Sequence, residues 1–136
     1  MNSEDVELLE RTIGCGEVAE ADAEAGREVV VTGWVQRRRD LGQLIFLEVR
    51  DRSGIVQVVV DPSESAEAHS RAEGLTLESV VGVAGRVVRR EQPNPRQPTG
   101  TVEIRAGREV RLLPERSRRV RVSLKLPRAG FPSKLV

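Results

Sequence analysis

A succession of short valine- and isoleucine-rich runs, each closed by a turn signal, constrains this chain more than any other feature. Residues 29–35 (Val-Val-Val-Thr-Gly-Trp-Val), 44–50 (Leu-Ile-Phe-Leu-Glu-Val-Arg) and 55–60 (Ile-Val-Gln-Val-Val-Val) have the β-branched and aromatic composition of strands. Asp40-Leu41-Gly42 and Asp51-Arg52-Ser53-Gly54 mark the turns between them, so the three read as a meander. Gly33 inside the first run predicts a bulge or sharp bend. Residues 79–88 make a fourth strand with two more glycines. A proline-rich loop follows at 92–98, then a fifth strand over 101–105 and 109–113, interrupted near Gly107.

A helix separates the third and fourth strands. Asp61 can cap it, Pro62 suits the first helical position, and Glu64 stands three residues after the cap. Gly74 is a fitting stop. Ala68, Ala72 and Leu75 share one thin apolar face that can lie on a barrel end. The fold class is therefore all-β: a five-stranded OB-fold Greek-key barrel with a short helix between strands 3 and 4. An SH3-like barrel is the rival, and the capped helix favours the OB order. In this fold the strand 2–3 face and the loops joining strands 1–2 and 4–5 bind oligonucleotides.

Side chains alternate faces along a strand, which locates a candidate surface. Ile45, Leu47 and Val49 should point into the barrel, with Val56, Val58 and Val60 and with Val102 and Ile104. Phe46, Glu48 and Arg50 then face outward, as do Ile55, Gln57 and Val59, and Thr101, Glu103 and Arg105. One outer surface gathers a ring (Phe46), an amide (Gln57), a carboxylate (Glu103) and nearby arginines. A ring can stack on a base, Gln and Glu can read base edges, and Arg can take phosphate or base. Such a surface suits single-stranded RNA, whose loop bases splay out. The run Arg37-Arg38-Arg39-Asp40 should lead into the 1–2 loop as a phosphate and base clamp, with Arg86, Arg89 and Arg90 flanking the 4–5 loop. Trp34, embedded among valines, reads as core. His69 reads as solvated and Cys15, between two glycines, as structural.

The overall charge of +1 conceals a segregation. Residues 1–28 hold nine acids against two arginines, residues 29–113 hold thirteen basic and eleven acidic residues, and residues 114–136 hold seven basic residues and Glu115. This reads as an acidic lead segment (1–28), a mildly basic barrel (29–113) and a basic tail (114–136) expected to be poorly ordered. The asymmetry suggests a nucleic acid or another acidic partner rather than a neutral enzyme pocket. One Cys and one His cannot build a disulfide framework or a Cys/His zinc site. No apolar run approaches the roughly 20 residues that cross a bilayer, and the acidic start lacks the parts of a signal peptide. The chain is expected to be cytoplasmic, with no membrane partner.

Gly33-Trp34-Val35-Gln36-Arg37-Arg38-Arg39-Asp40-Leu41-Gly42, then Leu44-Ile45-Phe46, then Arg50-Asp51-Arg52-Ser53-Gly54-Ile55-Val56-Gln57-Val58, closely resembles the N-terminal anticodon-binding domain of bacterial aspartyl-tRNA synthetases. The likeness begins at Arg11-Thr12 with Cys15-Gly16-Glu17. It runs on through Asp61-Pro62, Gly85-Arg86-Val87 and Pro98-Thr99-Gly100-Thr101-Val102-Glu103-Ile104, covering roughly residues 11–113. The triple arginine before Asp-Leu-Gly is similar to the bacterial aspartyl type rather than the lysyl or asparaginyl enzymes.

The resemblance implies recognition of the anticodon stem-loop of tRNA(Asp). By it, Phe46 stacks on the middle U of the GUC anticodon, with Gln57 and Arg39 contacting the same base and Arg37 a further RNA contact. Glu103 reads the first base, Arg90 lies near the third, and Asn94 fills the place of an Asn in the 4–5 loop. ATP and magnesium belong to the family's class II catalytic domain, which the remaining residues are too few to form. No cofactor is expected in this chain, the chain by itself is expected to be non-catalytic, and a homodimer is expected only where a catalytic domain is present. The text after Leu113 departs from the family's linker, which suggests a frame change or truncation, or else a standalone protein whose tail adds phosphate contacts. Two other functions remain open: a sequence-tolerant single-stranded nucleic-acid-binding OB module, and a protein-docking module in translation.

Overall fold

The computed structural model describes residues 11–112; residues 1–10 and the basic run 114–136, with its expected poor order, lie outside them. Five strands close a barrel: β1 (Glu28–Leu41), β2 (Leu44–Asp51), β3 (Gly54–Val60), β4 (Val80–Arg89) and β5 (Val102–Leu112). The order around it is β1-β2-β3-β5-β4. Only β3 and β5 run parallel, and β1 returns to pair with β4. This is the OB arrangement that the element order predicts.

Apolar alternation drives closure. Val29, Val31, Val35, Ile45, Leu47, Val49, Val56, Val58, Val60, Val81, Val83, Val102 and Ile104 form one buried cluster. β1 can serve two partners only by bending hard. At Gly33 a Cβ would lie 2.2 Å from the Arg50 carbonyl oxygen, so the strands pack backbone to backbone there. The bulge itself comes later than the glycine. Val35 pairs with Val49 and Arg37 with Glu48, leaving Gln36 as the extra residue. At the far end, Gly42 (φ 63°) makes the two-residue turn into β2. The interruption expected in the fifth strand is a two-residue bulge: Ala106 pairs with Gly85 and Glu109 with Ala84.

The helices seal the ends. α1 (Glu20–Glu24) follows a 3-10 turn at Cys15–Glu17. Asp51 holds that turn: one carboxylate oxygen accepts the Cys15 N–H at 2.9 Å, and the other accepts the Ser53 N–H and hydroxyl. Cys15 is fully buried in the core cluster. α2 (Ala66–Glu73) covers the opposite end with Ala68, Ala72 and the following Leu75. Its N-cap is Ser65, whose hydroxyl accepts the Ala68 N–H, rather than Asp61. Asp61 instead closes the preceding turn, accepting the Ser63 N–H at 2.9 Å, so the Asp-Pro signal starts the turn and not the helix.

Substituting Gly33→Ala should cost about 2 kcal/mol, because a methyl there must displace backbone. Gly74→Ala, where the nearest atom stands 4.0 Å away, should cost far less. Paired denaturation curves check this. Burial, then the nearby Asp51 carboxylate, pushes the Cys15 thiol well above its ordinary range. Only the unfolded chain then releases this proton as pH passes about 8.5, so stability should fall above that pH. Cys15→Ala should flatten that part of the stability–pH curve.

Candidate nucleic-acid interface

Cross-strand neighbours share a face, so the ladder registers convert strands into rows. One outer row runs Arg37, Glu48, Gln57, Glu103 across β1, β2, β3 and β5. The next runs Arg39, Phe46, Val59, Arg105, Arg86. Five of the seven candidate residues (Arg37, Arg39, Phe46, Gln57 and Glu103) thus stand on two adjacent rows. The bulge at Gln36 is what puts Arg37 and Arg39 there. Simple alternation from Val29, Val31 and Val35 would turn them toward the barrel and Arg38 away from it.

The polar groups already engage one another. The Gln57 amide donates to Glu103 Oε1 at 2.8 Å. Arg105 stands 3.6 Å from the other Glu103 oxygen and also pairs with Asp61 and Glu64. Hydrogen bonds from Ser63, with Arg105 adding, hold the Asp61 carboxyl below the usual range. Glu103 is only 9% exposed, so its carboxylate is positioned before any ligand arrives. The Arg39 guanidinium lies 4.9 Å from the Phe46 ring centroid, a cation–π contact that steadies the half-buried ring.

The β4–β5 loop folds over this face. Thr99 donates its hydroxyl to the Ile55 carbonyl at 2.6 Å, and the Gln97 amide reaches Glu48 at 3.4 Å. Asn94 builds the loop: its Oδ1 accepts the Arg96 N–H and its N–H donates to Gly100. Arg90 opens the loop, its N–H donating to the Thr101 carbonyl. Arg90 and Asn94 therefore stand at the loop, apart from the two rows.

Several expectations are corrected. The arginine run lies within β1, paired to β2, not in a loop. Arg38 does not join the clamp: it pairs with Asp40 and donates to the carbonyls of Ala72, Glu73 and Leu75, capping the end of α2. Arg89 turns away to Glu20 and Glu24 of α1. Val59 is buried despite outward parity, because Phe46 and Arg105 flank it in the ladder with far larger side chains. Trp34 lies outside the core cluster, half-buried, opposite Arg50. His69 is held rather than freely solvated, its Nε2 2.7 Å from the Gln43 carbonyl. Sequence reasoning missed the roles of Glu48, Gln97 and Arg105 because each acts through a neighbour distant in sequence.

Among the described residues, Arg37, Arg39, Arg50, Arg90 and Arg96 form no ion pair, whereas Arg27, Arg38, Arg71, Arg89 and Arg105 do. The uncompensated guanidinium groups thus collect on the outer face and its loop. No group of three or more His, Cys, Asp or Glu side chains among the described residues is disposed to hold a metal. No helix among them is long and apolar enough to cross a membrane.

Residues 29–114 match the tRNA anticodon family, an OB-fold nucleic acid binding domain. The chain belongs to this family. Among its relatives is the aspartate–tRNA ligase of Clostridium acetobutylicum, 47% identical over 107 residues, which are 79% of this chain and 18% of that protein. The aspartate–tRNA(Asp/Asn) ligase of Symbiobacterium thermophilum is 54% identical over 101 residues, covering 72% of this chain and 17% of that protein. The chain thus spans less than a fifth of the length of the curated relatives it matches, and it is an anticodon-binding OB domain homologous to their N-terminal part. The crystal structure of asparaginyl-tRNA synthetase from Pyrococcus horikoshii superposes with a TM-score of 0.63 at 32% identity, over 77% of this chain and 23% of that one.

Arg38→Met should cost about 1–2 kcal/mol, since it leaves three carbonyls at and just beyond the end of α2 without their donor. Arg37→Met and Arg39→Met should stay within about 0.5 kcal/mol of the parent, as exposed positions do. Urea unfolding of the three variants tests whether neighbouring arginines divide into structural and recognition groups.

Proposed function

We propose that this anticodon OB domain recognises the anticodon loop of tRNA(Asp), as the RNA-reading part of an aspartate–tRNA ligase acting in the cytoplasm. The observation that carries the reading is the coincidence, on two adjacent rows, of the Arg39–Phe46 stack and the Gln57–Glu103 pair. An unstacked loop base lies on Phe46 while Gln57 and Arg39 address its edge. The fixed Glu103 carboxylate accepts from the donor edge of the first base, for which guanine's N–H groups are suited. Arg37 takes backbone phosphate, and Arg90 and Asn94 meet the third base from the β4–β5 loop. The domain contributes recognition, not bond chemistry; ATP, magnesium and aminoacylation belong to a class II catalytic domain of such a ligase.

Phe46→Ala should weaken binding of the tRNA(Asp) anticodon stem-loop by at least about 1 kcal/mol in a titration with the folded variant. Undiminished affinity would refute the stacking role. Glu103→Gln should relax preference at the first anticodon base more than it lowers overall affinity, and equal losses across anticodon variants would count against that role. A sequence-tolerant single-strand binder would instead hold unrelated oligonucleotides equally well, with a steep salt dependence.

A further inference from the structure

We infer that Trp34 and Arg50 form a second base-stacking site on this domain, which accepts an unpaired RNA base other than the one on Phe46. The inference rests on the RNA-recognition reading above. Trp34 pairs with Arg50 on one side and with Val80 on the other, which puts all three on the outer face. Val80 is buried there although it is outside the core cluster, so an apolar floor lies beside the indole. Trp34 itself is half-buried, leaving part of the ring open.

Arg50 supplies the charge. Its Nε donates to the Gln36 side-chain oxygen, which fixes the guanidinium while the terminal nitrogens make no ion pair among the described residues. A guanidinium held in this way is ready for bidentate phosphate contact beside a stacked base. Gln36 is the residue that the β1 bulge expels, so one irregularity serves both ends of the surface.

The site is continuous with the first one yet separate from it. Arg50 is four residues beyond Phe46 on β2, about 13 Å at the usual rise, further than one base can span while stacked on Phe46. Ile55, the β3 neighbour of Arg50, accepts the Thr99 hydroxyl, so the β4–β5 loop borders the same row. Two platforms on one sheet with uncompensated arginines at Arg37, Arg39 and Arg50 fit a stretch of single strand with its bases turned to the barrel.

The chain holds one tryptophan and no tyrosine, so its ultraviolet emission reports on Trp34 alone. The full chain is titrated with the tRNA(Asp) anticodon stem-loop, binding is followed by anisotropy of an end label, and Trp34 emission and its quenching by acrylamide are read in the same samples. Stacking should quench the emission in step with binding and shield the ring from acrylamide. Abasic replacement at one loop position should abolish the quench, and that position should differ from the one at which Phe46→Ala has its effect. Arg50→Gln should weaken binding about fivefold or more and reduce the salt slope by about one. Binding with unchanged emission and acrylamide access, or one abasic position serving both rings, overturns the second site and leaves the anticodon reading intact. Absence of any binding overturns both.

Discussion

The surface depends on one extra residue. Gln36 breaks the alternation of β1 between its two halves, the first paired with β4 and the second with β2. Before the bulge, Val29, Val31 and Val35 fill the barrel; after it, Arg37 and Arg39 face out beside Glu48 and Phe46. Without it the arginines would aim at a core of valine and leucine, where unpaired charge is prohibitively costly. The same shift turns Arg38 toward the barrel end, where the carbonyls of Ala72 and Glu73 in α2 and of the following Leu75 accept its guanidinium. Close packing of Gly33 against Arg50 fixes the bend just before this point.

Charge is sorted by the same geometry. Arginines that face helices or turns are neutralised by local acids: Arg89 by Glu20 and Glu24, Arg105 by Asp61, Glu64 and Glu103. Those on the outer face of β1 and β2 are left uncompensated. A barrel with nearly balanced charge can therefore present a basic strip where a short loop of RNA needs it, without a high overall charge. Arg105 belongs to the first class yet serves the second, since its ion pairs anchor the carboxylate that Gln57 also holds.

Much of the fold was legible because the strands alternate cleanly. Ile45, Leu47 and Val49 point inward and Phe46 outward, as the period of two requires. Closure, helix placement and the row containing Gln57 and Glu103 follow from strand order and parity together. Trp34 was misread because its valine neighbours were weighed above its parity: Val29, Val31 and Val35 point inward, so position 34, which precedes the bulge, faces outward. Val59 faces outward as parity requires, yet its burial was not legible, because parity says which way a side chain points and not how large its neighbours are. The helix cap passed from Asp61 to Ser65 because both can cap, and only chain geometry chooses between a turn and a first helical residue.

The sequence by itself determined the strand set, the barrel order, the inward apolar rows and the residue types able to meet RNA. These follow from local composition and a periodicity that needs no knowledge of distant contacts. Only the tertiary structure decided which arginines are free, which carboxylate is held, and which residues flank Trp34 across the sheet. Those depend on a bulge and on pairings between residues far apart in sequence, such as Arg89 with Glu24, 65 positions away. Alternation along one strand carries no information about them, because a single extra residue reverses every face that follows.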